Sequence, residues 1–75
     1  MDESRKDTLR AAEAASRILD GRSPVPENEA AILVTLEHTL TTVLLALYKS
    51  PREAAAMLEE GLIPCTIERL ARYKR

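Results

Sequence analysis

The 75-residue chain has no Phe, no Trp and only two tyrosines. That excludes the aromatic stacking platform on which single-stranded nucleic acids are held. One Cys and one His cannot form a disulfide framework or a zinc finger within one chain. Two glycines are too few for a phosphate-cradling loop. No strand-length window alternates β-branched with polar residues, so every element is expected to be helical. Charge of one sign is also missing. Eleven basic and twelve acidic residues leave a net −1, which gives no global attraction to nucleic acid or to a membrane surface. Paired carboxylates at a cleft, a metal-ligand cluster and a nucleophile–base pair are all absent from the sequence pattern. No catalysis, no metal and no cofactor are therefore expected.

What remains is an aliphatic, alanine-rich chain in which hydrophobic residues make up 45%. It is expected to fold as one domain, because two cores do not fit in this length. Below roughly 70–80 residues a single core rarely supplies more than about 3–5 kcal/mol. Without disulfides or a metal, the usual remedy is a second chain, so a homodimer is expected. The charged start, MDESRKD, leads into no apolar core of a signal peptide. With a single unpaired Cys, a reducing cytoplasm is the expected compartment.

Four helices are expected, in an all-α domain made of a helical hairpin and a short helix–turn–helix. The first spans about 4–20, with Ser4 to Asp7 as an approximate capping box, Glu13 and Arg17 as an i,i+4 pair and Gly21 as the stop. Its inward face is Leu9, Ala12, Ala15, Ser16 and Leu19. Two prolines, Pro24 and Pro26, stiffen the link, and Pro26 opens a second helix over about 26–49. The third spans about 51–60, capped by Ser50 with Pro51 at its first position and stopped by Gly61. The fourth spans about 66–74, with Ile67, Leu70 and Ala71 inward.

The second helix carries an unbroken heptad stripe, Leu33, Leu36, Leu40, Val43 and Leu47, and a second stripe of Val34, Leu45 and Tyr48. Its apolar arc exceeds half the circumference, wider than a surface helix shows. The heptad stripe serves an intramolecular core, a dimer seam, or both, and is the expected dimer interface. Residues 30–48 are also long and apolar enough to suggest a membrane span. Glu37 and His38 stand in the middle with Thr35, Thr39, Thr41 and Thr42 around them, and a central acidic group costs about 2.5–3.5 kcal/mol on insertion scales, by analogy with Asp. A soluble helix with no membrane partner is the expectation. Glu37 is expected to pair with Arg10 or Arg17, and His38 to face solvent. Cys65 has no base placed beside it, so no nucleophilic role is expected.

The C-terminal part offers the sharpest motif. Gly61 is followed by Leu62, and Ile67 and Leu70 fall at the inward positions of a following helix. Over residues 52–75 this partly resembles the helix–turn–helix regulators. The resemblance implies that Thr66, Arg69 and Arg72 read base edges, with Lys74 and Arg75 on phosphates. Met57, Glu60 and Ile63 depart from the pattern, and Glu59 and Glu60 bring negative charge near the presumed DNA.

The first functional expectation is a small non-catalytic regulator or inhibitor that docks on a larger protein. A phage- or plasmid-encoded inhibitor fits the size, by analogy of size alone. The expected contacts are Ile63, Thr66, Arg69, Arg72 and Tyr73, because Tyr and Arg are enriched at interface hot spots and these positions lie near the basic C-terminal end. The alternative is the helix–turn–helix DNA-binding regulator.

Overall fold

The computed structural model describes residues 2–73, and among them all regular structure is helical. The chain forms two compact units, one ending at Thr39 and one beginning at Leu40. The all-α expectation holds, and among the described residues the expected third and fourth helices join into one, leaving three helical runs rather than four.

In the first unit, α1 runs over Glu3–Leu19. Its cap is Asp2, whose carboxylate accepts the Arg5 N–H at 2.9 Å, and not Ser4. A carboxylate at this end also meets the positive pole of the helix dipole. The Glu13–Arg17 pair forms at 3.3 Å. Asp20 closes the helix in the left-handed region (φ 50°), its N–H bonded to the Ser16 carbonyl, and Gly21 follows at φ 74°. Asp is one of the few side chains that tolerates this conformation, and Gly takes it without steric cost. The expected inward face is only partly covered. Of that face Leu19 is half-buried, as is Ile18 beside it, whereas Leu9, Ala12, Ala15 and Ser16 are exposed.

Arg22 ties the end of α1 to the next helix. Its guanidinium donates to the carbonyls of Leu19 (2.8 Å) and Ile18 (2.6 Å) and to the Thr35 hydroxyl (2.9 Å). That hydroxyl in turn donates to the Ala31 carbonyl. The Leu19 carbonyl also takes the Arg22 backbone N–H (2.9 Å), and the planar fork adds a second bond to it and one to the Ile18 carbonyl, so the task suits Arg and not Lys. Arg22→Ala is expected to destabilise the chain by about 1–3 kcal/mol in urea melts followed by circular dichroism, and Arg22→Lys to recover only part of that loss.

Pro26–Asn28 form a single 3-10 turn, with Pro26 at its first position, and α2 follows over Glu29–Leu47. The helix stops short of the expected Lys49 because Ser50 precedes Pro51, which drives Ser50 out of the helical region (φ −133°, ψ 151°). In the second unit, the Ser50 hydroxyl accepts the Glu53 N–H at 3.1 Å and caps α3, Pro51–Met57, as its sequence predicts. Leu44 of α2 and Ala54 of α3, each 6% exposed, are the buried hydrophobic residues, and both line a shallow recess with Leu45, Ala55 and Leu58.

The expected stop at Gly61 does not occur. Helix α3 passes through a wide π-turn, Leu58–Leu62, into α4, Ile63–Ala71, as one continuous helical run. The Ile63 N–H reaches back five residues to the Leu58 carbonyl. The cause is Pro64. In a straight α-helix it would offer no N–H to the Glu60 carbonyl and its ring would strike that carbonyl. One widened turn just before it makes the room. Gly61 is therefore no turn: it lies inside the helical run, where an added Cβ would meet the flexible Met57 side chain, 2.7 Å from its sulfur. The two glycines should respond oppositely to alanine in thermal melts. Gly21→Ala, at positive φ, is expected to cost about 1–2 kcal/mol. Gly61→Ala, inside a helix and against a flexible Met, is expected to be neutral or to gain up to about 1 kcal/mol.

Candidate functional site

The heptad stripe of α2 is on the surface along its whole length. Leu33 is 53% exposed, Val43 52% and Leu47 69%, with Leu36 and Leu40 just over a third. Spacings of three and four residues keep these five side chains on one face of the helix. Beside Leu33, a shallow groove is lined by Leu19, Pro24, Val25, Pro26, Glu29 and Ile32. The second stripe is open as well, since Val34 and Leu45 are both about half exposed and Tyr48 is half-buried. A helix this apolar usually has most of its surface covered. Here no stripe residue is buried, and residues 26–47 are long and apolar enough to cross a membrane by length and composition.

The C-terminal contacts expected from the sequence, Ile63, Thr66, Arg69, Arg72 and Tyr73, are all exposed. Arg72 is held by Glu68 at 2.8 Å, one turn earlier. Ile67 and Leu70 correct the sequence reading. Expected inward, they are 62% and 66% exposed. With α3 and α4 continuous, they have no preceding turn to fold back on, and they stand with Ile63 on one apolar face of α4. Their periodicity marked them as apolar-face residues, but not what covers that face. Lys74 and Arg75 lie outside the described residues, as does the expected end of the fourth helix.

Arg10 is paired with Asp7 at 3.1 Å and Arg17 with Glu13 at 3.3 Å, both within α1. His38 is exposed, as its position predicts. Cys65 is free and exposed, in the first turn of α4. Among the described residues no three metal-ligating side chains come together. What the surface offers is apolar contact, rimmed by charge. Set against protein-family models, curated proteins and solved structures, the chain matches none.

Proposed function

We propose that this chain is a small non-catalytic protein-binding regulator, which pairs with a second copy through the α2 stripe and docks on a larger protein through its C-terminal segment. The observation that carries this is the open stripe: five large aliphatic side chains on one helix face, with two buried hydrophobic residues among those described. Exposed apolar surface on this scale marks an interaction site in a soluble protein. Two copies joined through one self-complementary patch close the assembly. The docking face then combines the apolar Ile63 with Arg69, Arg72 and Tyr73, residue types suited to interface anchors.

DNA binding, the alternative, has less support. The helix–turn–helix motif needs a turn at Gly61, where the helix runs on. Membrane insertion of residues 26–47 competes for the same apolar surface, but would bring Glu37 and His38 to mid-depth.

Affinity capture tests the docking. The wild-type chain is expected to retain one stoichiometric protein partner, and a variant with Arg69, Arg72 and Tyr73 all changed to Ala to lose it while keeping its helical content. Retention by the variant, or tight binding of duplex DNA at low salt instead, would count against this function. So would flotation of the chain with neutral lipid vesicles.

A further inference from the structure

We propose that the second copy lies antiparallel on α2, with a two-fold axis at Leu40 and the charged ends of the helix paired between copies. This rests on the stripe being the seam, and adds direction and register to it.

The stripe is nearly symmetric about its own midpoint. Leu33 and Leu47 stand seven residues either side of Leu40, and Leu36 and Val43 stand four before and three after. Turned end for end about Leu40, a second copy sets its Leu47 against Leu33, its Val43 against Leu36 and its Leu40 against Leu40. Every stripe residue gains an apolar neighbour and none is left at an overhanging end.

Charge decides the direction. Glu29 stands four residues before Leu33, on the same line of the helix, and Glu27 lies in the turn just ahead. Lys49 and Arg52 follow the other end. All four are exposed, and none is in an ion pair or side-chain hydrogen bond among the described residues. The contrast is with α1 and α4, where Lys6, Arg10, Arg17 and Arg72 each find an acidic neighbour on their own helix. An antiparallel copy brings the acidic end of one α2 beside the basic end of the other, twice per dimer. It also opposes the two helix dipoles. A parallel copy sets Glu27 and Glu29 against themselves, and Lys49 and Arg52 against themselves, with no compensation.

Disulfide mapping tests this directly. The variant Leu33→Cys with Leu47→Cys, in a Cys65→Ser background, is oxidised and its peptides are mapped by mass spectrometry. Antiparallel pairing predicts intermolecular bonds joining position 33 to position 47. Bonds joining 33 to 33 and 47 to 47 overturn the direction while leaving the stripe as the seam. A protein that sediments as a dimer without either bond overturns the stripe itself, and one that stays a monomer while the unsubstituted chain also does so overturns pairing altogether.

Charge reversal gives an independent check that spares the apolar stripe. Glu27→Lys with Glu29→Lys is expected to weaken the dimer about tenfold, and adding Lys49→Glu and Arg52→Glu to the same chain to restore it. An unchanged dimer in the first variant contradicts the antiparallel arrangement.

Discussion

Leu40→Glu is expected to convert the chain from dimer to monomer. Leu40 is at the centre of the α2 stripe and on the proposed two-fold axis, so each dimer would take on two carboxylates facing one another across a dry seam. Burying an uncompensated charge costs roughly 3–5 kcal/mol, which weakens association by a factor of about 10²–10⁴. Sedimentation velocity at tens of micromolar reads this directly. The control is Val34→Glu. Val34 is equally apolar and just as exposed as the stripe residues, but lies on a different side of α2. It is expected to leave the dimer intact. If both substitutions dissociate the chain, the effect comes from the apolarity of α2 as a whole, and the stripe has no special place. If neither does, the stripe is not the seam.

Leu44→Ala is expected to produce the largest loss of stability from a change that touches no proposed interface. Leu44 is 6% exposed and lines the same recess as Ala54, Ala55 and Leu58. Removing its isobutyl group withdraws buried apolar surface and leaves a cavity, a change worth about 2–5 kcal/mol. In a domain of 60–100 residues each kcal/mol moves Tm by about 4–8 °C. A fall of at least about 10 °C in thermal melts is the expected result. Leu9→Ala is the comparison, since Leu9 is 53% exposed on α1 and alanine is the better helix former. It should change stability by no more than about 0.5 kcal/mol. Equal effects at the two positions would mean that the recess lined by Leu44 is not where the second unit is held.

These two predictions differ because the chain divides its leucines between two tasks. Leu44 is spent on the second unit's own packing, and Leu40, only four residues earlier, is left on the surface. Hydrophobic periodicity alone could not separate them. Both lie on a helix whose apolar arc exceeds half a turn, and the sequence pattern says only that such a helix is covered on more than one side. Which side the chain covers itself depends on where α3 lands, a tertiary outcome set by the tight Ser50–Pro51 corner.

Local chemistry was the most readable part of the sequence. The Ser50 cap, the Pro26 start, the Glu13–Arg17 pair and the exposed His38 all follow from short-range rules, and the structure bears them out. Asp2 in place of Ser4 as the first cap shows the limit of those rules: two capping residues stood within one turn, and the more acidic one, further out, took the position. Gly61 misled for a clearer reason. A glycine followed by an apolar residue reads as a stop, yet glycine marks a turn only when its φ is positive, and sequence does not reveal φ. Pro64, three residues on, held the better clue. A proline inside a helical pattern forces either a break or a local widening, and this chain takes the widening. With the turn gone, Ile67 and Leu70 lost the neighbour they were expected to pack on, and the apolar face of α4 opened to the surface.

The most direct test of self-association is sedimentation equilibrium of the unmodified chain, from low micromolar to several hundred micromolar, with far-ultraviolet circular dichroism on the same samples. Association through α2 predicts a mass approaching twice the 8.3 kDa of one chain at the upper end, with helical signal falling as dilution separates the copies. A mass of one chain across the whole range, with undiminished helix, would contradict it.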